Sequence, residues 1–326
     1  MPEFCIDFLP IHGSRSGDAI IIAFEPGTDG QEIIVVDGGF RSDGEALVEY
    51  IRDEYDSEFV DIVICSHPDE DHSAGLAPVL EELEVGMLWV HRPARHFRRV
   101  HPTQPLAEAR ARLLQASLNH VHTLEGLASE RSVPVCEPFE GLSYAGGRLV
   151  VLGPSVRLYR QALERFSQGN RRTLDGRLER LAEAVGEELI ETSENEDLRK
   201  AENTSSVVLR FQSDSGVSAL LTADATQLAL RRALNYSLRA LGSRPLQSFD
   251  VFQVPHHGAF RNVGPWLFDS VDVASAIISA SESDPQHPND VVLDAFENSG
   301  CDVYVTGASG VRIIGYDDGT YQVERF

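Results

Sequence analysis

Four side chains able to bind a metal fall within six residues: His67, Asp69, Asp71 and His72, in the run Cys65-Ser66-His67-Pro68-Asp69-Glu70-Asp71-His72-Ser73-Ala74-Gly75-Leu76. Neutral imidazoles mixed with carboxylates suit zinc, manganese or iron. An Asp-Glu-Asp run alone is usually a solvated turn. Here two histidines flank it, and an apolar, β-branched run, Val60-Asp61-Ile62-Val63-Ile64-Cys65, reads as the buried strand that delivers it. Pro68 breaks regular structure just after that strand, so the cluster lies on a loop at a strand's end. One loop does not close a metal site, and further ligands must come from elsewhere in the chain.

Other strands end in residues of the same kind. Ser218-Ala219-Leu220-Leu221-Thr222-Ala223-Asp224 reads as a buried strand ending in an acid, and Val251-Phe252-Gln253-Val254-Pro255-His256-His257-Gly258 as one ending in two histidines. A lone Asp or His in such a place is usually structural. Their recurrence at the ends of successive buried strands is what a metal site between two sheets requires. Earlier strands are expected at Phe4–Leu9, Asp18–Phe24 and Glu32–Val36, the last ending in Asp37-Gly38-Gly39, where glycine lets the backbone approach a site closely. Helical spacing places Leu47, Val48 and Ile51 on one face of a helix over Glu45–Glu54. Strands interleaved with helices and tight turns fit an α/β layered domain.

The chain has 326 residues, enough for one large core, and a formal net charge of −23. That charge argues against coating nucleic acid through a broad basic face. It leaves room for a local basic groove, and a bound divalent metal offsets nearby negative charge. Cys5, Cys65, Cys136 and Cys301 are scattered, so neither a disulfide framework nor a cysteine zinc site is indicated. No secretion signal is read at the N-terminus, and no window reaches the roughly 18 apolar residues of a membrane span. A soluble cytoplasmic protein is the expectation.

Two stretches depart from the pattern. His91-Arg92-Pro93-Ala94-Arg95-His96-Phe97-Arg98-Arg99-Val100-His101 carries four arginines, three histidines and no acid. It reads either as a loop pairing with the protein's own carboxylates or as a phosphate-contacting lip in which Arg95, Arg98 and Arg99 bind substrate. From Val156 to about Ala201 the pattern is helical and charged, with Leu178, Leu181, Ala182, Val185, Leu189 and Ile190 as a stripe and an acidic, flexible stretch from Glu187 to Glu202. It is expected to cover a site edge or an oligomer face.

In the order of its motifs from Phe4 to about Val323, the chain resembles the metallo-β-lactamase superfamily. Its signature is H-x-H-x-D-H; here Asp69 stands for the second histidine. In this the chain is similar to the branch of competence DNA-uptake channel hydrolase domains and phosphorylcholine esterases. Gly17-Asp18-Ala19, Asp37-Gly38-Gly39, Asn203-Thr204-Ser205-Ser206, Leu221-Thr222-Ala223-Asp224, Val254-Pro255-His256-His257-Gly258 and His287-Pro288 also match. Ala223 replaces a common glycine, and Pro10-Ile11-His12-Gly13 departs from the usual turn.

The resemblance implies one four-layer αβ/βα sandwich over 1–326, with helical insertions at about 91–130 and 156–200. It implies two divalent ions, zinc or manganese: one on His67 and Asp69, one on Asp71 and His72, with Asp224 bridging. His257, slightly favoured over His256, completes the second. His256 and His287 then face the substrate, as candidates to protonate the leaving group, and Asp71 orients a metal-bound hydroxide. The third-motif histidine has no clear counterpart; His120 and His122 are candidates by composition. Asp37 is a candidate to fix a histidine tautomer. Phosphodiester hydrolysis, of DNA or RNA among other substrates, is the leading reaction. Ester, lactone or lactam hydrolysis is the first alternative, and a metal-stabilised regulatory module without turnover the second. A protein partner or a homo-oligomer formed through the helical insertion is a further expectation.

Overall fold

The protein's structure is a computed structural model that describes residues 1–100, 118–166, 188–242 and 247–326, the side chains of 97–100 and 166 excepted. The side chains of Arg98 and Arg99 and the stripe from Leu178 to Val185 lie outside the described residues. No described helix is long and apolar enough to cross a membrane.

Strands buried on both faces read as unbroken apolar runs, because each face meets a different apolar layer. The second strand, Ala-Ile-Ile-Ile-Ala-Phe, is such a run. The strands, in chain order, are β1 Phe4–Phe8, β2 Ala19–Phe24, β3 Glu32–Gly38, β4 Phe59–Ile64, β5 Glu84–Trp89, β6 Val135–Cys136, β7 Ser143–Tyr144, β8 Leu149–Gly153, β9 Val208–Gln212, β10 Ser218–Leu221, β11 Gln247–Gln253, β12 Val271–Ile278, β13 Asp302–Val305, β14 Val311–Gly315 and β15 Tyr321–Arg325. Among the described residues they form an eight-stranded sheet, β15-β14-β1-β2-β3-β4-β5-β6, and a seven-stranded sheet, β13-β12-β11-β10-β9-β8-β7. In β2, Ile20, Ile22 and Phe24 point between the sheets, while Ile21 and Ala23 point to the helices outside. Helices Arg41–Tyr55, Leu76–Glu82 and Leu118–Glu130 cover the first sheet; Gln227–Ala240 and Asp290–Ser299 cover the second. This is the expected α/β sandwich: helices, sheet, sheet, helices.

Between the sheets Phe211 meets Phe4 and Phe24 at ring-centroid distances of 4.7 and 5.5 Å. Full burial of such a ring stabilises by about 1.5–3 kcal/mol. The Arg41–Tyr55 helix starts four residues before its expected edge, because Asp43 accepts from the Phe40 amide at 3.0 Å and anchors an extra turn. Residues 193–204 are not the flexible acidic stretch expected. They form two short helices, Glu194–Asp197 and Ala201–Thr204. Ser193 and Glu196 make a reciprocal cap (2.9 Å from Ser193 N to Glu196 Oε2, 3.3 Å from Glu196 N to Ser193 Oγ), a Ser-x-x-Glu signature hidden in the acidic run. Buried Asp197 then accepts from Leu228 N at 2.6 Å and ties the segment down.

Strands β3 and β4 run parallel in one sheet, and β10, β11 and β12 run parallel in the other. Their C-terminal ends meet at one edge, where Val207 N donates to Ser66 O at 3.0 Å across the sheets. Open α/β sheets bind ligands outside the carboxyl ends of parallel strands. Every loop carrying a candidate ligand leaves from this edge.

Candidate metal centre

Close backbone approach brings the histidine-rich loop into the edge. A Cβ on Gly38 would lie 2.6 Å from Gly75 C, and one on Gly75 would lie 1.8 Å from Gly38 O. Only two glycines let Asp37-Gly38 pack against the loop 66–75. Four of the non-glycine residues with left-handed backbones also gather here: Asp37, Ala223, His256 and His257, with φ of 58, 45, 53 and 56°. Such conformations cost about 1–3 kcal/mol each and persist where the surroundings fix them. Around Ala223, Gln253 Oε1 accepts from the Thr222 and Ala223 amides at 2.9 and 3.1 Å and holds the turn that presents Asp224.

Each histidine of the centre has its Nδ1 committed outward, and that fixes what Nε2 can do. His257 Nδ1 lies 2.9 Å from the Ser279 carbonyl, which only accepts, so Nδ1 carries the proton. His72 Nδ1 lies 2.9 Å from Asp37 Oδ2. The Ser66 hydroxyl donates to Asp37, so its oxygen accepts from His67 Nδ1 at 3.0 Å. Asn262 Nδ2 donates to the Asp224 and Ala225 carbonyls, both at 3.1 Å, which turns its Oδ1 to His256 Nδ1 at 2.9 Å. All four rings, when neutral, therefore aim an Nε2 lone pair inward.

What those lone pairs meet is a carboxylate. Asp224 Oδ1 lies 3.2 Å from His72 Nε2 and 3.6 Å from His257 Nε2; Asp224 Oδ2 lies 3.7 Å from His67 Nε2 and 3.3 Å from His256 Nε2. Asp69 Oδ2 is 3.8 Å from His67 Nε2, and Asp71 Oδ2 is 3.9 Å from His257 Nε2. Lone pairs facing lone pairs in a buried site repel unless a cation stands between them. The Nε2 atoms of His67, His72 and His257, with Asp224 Oδ1, are buried with no hydrogen-bond partner. Donors sharing one tetrahedral ion with bonds of about 2.0–2.2 Å are roughly 3.3–3.6 Å apart, close to the separations here. Asp71, His72 and His257 also place one ligand atom each within 4.8 Å of one another. The donor set fits divalent metal ions, and its two sides, around Asp224 Oδ1 and Oδ2, suit a binuclear site.

Charges follow the geometry. Burial pushes His67 down to about 4, helped by the neighbouring His72. At His72 burial opposes the charge, but Asp224 and Asp37 override it and raise the group well above its ordinary range. Burial disfavours the Asp224 carboxylate, yet His256, His72 and His257 hold it well below the usual range.

The structure brings together His67, Asp69, Asp71, His72, Asp224, His256 and His257. His287 stands one layer out, its ring 5.6 Å from that of His256 and 6.0 Å from that of His257. Asp37 contacts His72 and Ser66, as a tautomer-fixing acid should. His120 and His122, half-buried and exposed on the Leu118–Glu130 helix, belong to none of the metal-competent groups found among the described residues. Arg92 pairs with Glu125, and Arg95 Nη1 lies 3.9 Å from Glu137 Oε2. His91 is buried between Phe139 and Tyr159, with ring centroids at 4.7 and 4.4 Å. The described start of the basic stretch is packed around His91, with Arg95 exposed beside Glu137.

Sequence reasoning assigned no role to Asp18, Asn203 or Asn262. Asp18 lies 3.5 Å from His72 Nδ1 and accepts from Gln253 Nε2 at 2.8 Å. Asn203 Nδ2 donates to Asp224 Oδ2 at 3.2 Å. Asp18 and Asn203 stand in motifs already singled out, and that was the only available signal.

Residues 13–160 match the model of the Metallo-beta-lactamase superfamily. No curated protein matches the chain. Among solved structures it is similar to a Cronobacter sakazakii metallo-β-lactamase with a HARLDQ motif (11% identity, covering 74% of this chain and 72% of that one, TM-score 0.37). It is also similar to metallo-β-lactamase SMB-1 bound to 2-mercaptoethanesulfonate (12%, 82% and 83%, 0.37) and to a β-lactamase domain protein from Burkholderia ambifaria (15%, 75% and 65%, 0.36). No activity passes from these to the present chain. The segment that matches the superfamily model is the one that carries His67–His72, and the chain sets it in a two-sheet α/β sandwich with a His/Asp centre at its edge that is suited to divalent metal ions.

Proposed function

We propose that the protein hydrolyses phosphodiesters at this centre. The observation that carries the reading is Asp69, a carboxylate 3.8 Å from His67 Nε2 where the superfamily signature has an imidazole. With Asp71 and Asp224 it makes half of the donor set oxygen. Such a set holds manganese as readily as zinc, and oxygen-preferring ions also take phosphoryl oxygens. When bound, two divalent ions supply activation of a water near neutral pH and neutralisation of charge at the reacting phosphate. The chain's residues do the rest. Asp71, 19% exposed at its side chain, faces both the centre and solvent and orients the attacking water. His287 stands on the open side, one layer out from the centre, where it can meet the diester, while His256 is turned inward to Asp224. With a net charge of −23, a small diester suits the protein better than a long duplex.

The pairing of Arg92 and Arg95 with Glu125 and Glu137 favours a second reading, hydrolysis of a carboxylic ester or lactone, which needs no cationic lip. One experiment separates them. Protein loaded with manganese or zinc is assayed on bis(p-nitrophenyl) phosphate and on a p-nitrophenyl carboxylate ester, with Asp71→Ala alongside. The proposal expects diester turnover that falls at least about 100-fold in the variant. Ester turnover without diester turnover would replace it by the second reading.

A further inference from the structure

Behind the loop that carries His67 lies an internal cavity, closed by parts of the chain that are far apart in sequence. Its walls come from Cys65–Pro68, from His91 just after β5, from the Leu118–Glu130 helix, from Tyr159 on the helix Val156–Phe166, and from Ser205. Every residue that lines it is buried. Its free volume, counted for the centre of a water-sized sphere, is about 10 Å³, the room of one water molecule. Two of its polar side chains belong to no network described so far. His91 is 6% exposed and Tyr159 2%. His91 Nδ1 and Nε2 are both buried with no hydrogen-bond partner, and among the described residues none reaches the Tyr159 hydroxyl. Buried polar groups in folded proteins are almost always paired, with protein atoms or with ordered water.

The cavity restricts what can pair with them. Among the described residues no carboxylate, lysine or arginine lines it, so an ion inside would be buried without a counter-charge. His91 belongs to none of the metal-competent groups found among the described residues. The volume is too small for an organic ligand. A buried water needs about two to four polar partners, and the walls supply them. A neutral imidazole and a phenol can each donate and accept. Ser205 Oγ donates to the Glu202 carbonyl at 2.6 Å and keeps its lone pairs. Ser66 Oγ, which donates to Asp37 and accepts from His67 Nδ1, keeps one.

We propose that this cavity is a binding site for one ordered water, held by His91 and Tyr159 and passed on to Ser205 and Ser66, which fastens the metal loop to both inserted regions. His91 comes from the first insertion and Tyr159 from the second. The consequence reaches the metal centre through Ser66. Its oxygen takes the proton of His67 Nδ1, so a water that steadies Ser66 helps keep His67 Nε2 aimed inward. The assignment holds whichever ester the centre hydrolyses.

The test uses the zinc-loaded protein and two variants that keep the aromatic packing, Tyr159→Phe and His91→Phe. In a crystal structure of the wild type, density for one water is expected within about 2.7–3.2 Å of a His91 nitrogen and of Tyr159 Oη. In solution the His91 ring protons should cross-relax with water. Each variant should lose that water, and its zinc dissociation constant, measured by competition with a chelator, should rise at least about threefold. A wild-type cavity without density overturns the proposal, whether or not the variants fold. Density too large for a water would make the cavity a ligand pocket and overturn it as well. If the water is present but both variants lower the melting temperature with zinc affinity unchanged, the water only fills space and the fastening role is overturned.

Discussion

Asp7 and Asp224 are both fully enclosed carboxylates, and the clusters around them are built oppositely. Asp7, on β1, accepts from Arg312 Nε at 2.7 Å, Arg312 Nη2 at 2.8 Å, Tyr50 Oη at 2.9 Å and Tyr55 Oη at 2.6 Å. Two oxygens receive four donors, one pair of them the bidentate fork of a guanidinium. Asp224 is as buried, yet its Oδ1 has no hydrogen-bond partner and three histidine nitrogens around it have none. Burial of charge is therefore not what marks a functional centre here. The mark is convergence of Asp224 Oδ1 and three histidine Nε2 atoms with no hydrogen-bond partner for any of them. The Asp7 cluster is complete with the chain's own atoms; the Asp224 cluster is complete only with a cation.

The largest expected contrast follows from that difference. Asp224→Asn should cut metal content to below one ion per chain and lower hydrolysis on the order of 1,000-fold, the rate equivalent of several kcal/mol. Elemental analysis and steady-state assays check it, and full metal content in the variant would show that the unpartnered atoms are not ligands. Asp7→Asn should do the reverse. It leaves the half-buried Arg312 with only the more exposed Glu54 as counter-charge and should destabilise by about 1–3 kcal/mol in chemical denaturation, with metal content unchanged.

Much of the Asp224 side of this comparison was legible from the sequence. His67–His72, Asp224 and His256-His257 stand at the ends of apolar strands, and a strand's end is visible locally. The two-layer burial of β2 was visible as an unbroken apolar run. Its partners were not. Asp18 reaches Gln253 across 235 residues and Ser16 reaches Asp284 across 268, contacts that no local pattern encodes. Asp7 read as an ordinary strand residue, since nothing near it announces Arg312. The basic run at 91–101 left two readings open for the same reason: Glu125 and Glu137, which pair with Arg92 and Arg95, are more than 30 residues away.

His91 offers a smaller test between the two extremes, as a buried group with neither partners nor a place in the metal cluster. Both its ring nitrogens are unpartnered, and burial, with His96 nearby, pushes it from 6.5 down to about 3. The unfolded chain then binds a proton below about pH 6.5 that the folded chain takes up only near pH 3. Stability should fall as pH drops through that window, by up to about 1.4 kcal/mol per pH unit. Thermal unfolding of His91→Phe, which keeps the aromatic packing against Phe139 and Tyr159, should lose that part of the slope. An unchanged slope would assign the acid sensitivity elsewhere.

The smallest effect is expected at Arg95, 58% exposed and 3.9 Å from Glu137. Such a pair contributes about 0–1 kcal/mol. Arg95→Ala should shift stability by less than that and change diester kcat/KM by less than about twofold. A tenfold fall would mean that Arg95 leaves Glu137 for the substrate, restoring the phosphate-contacting lip.

The central claim, that the inward lone pairs around Asp224 exist to hold cations, is tested most directly by calorimetric titration of metal-stripped protein with zinc and with manganese, at two pH values. Saturable binding of two ions per chain is expected, tighter at the higher pH because the ligands must be deprotonated, with loss of that binding in Asp224→Asn. Titration of the folded, metal-stripped chain with no saturable binding, or with binding that survives Asp224→Asn unchanged, would contradict it.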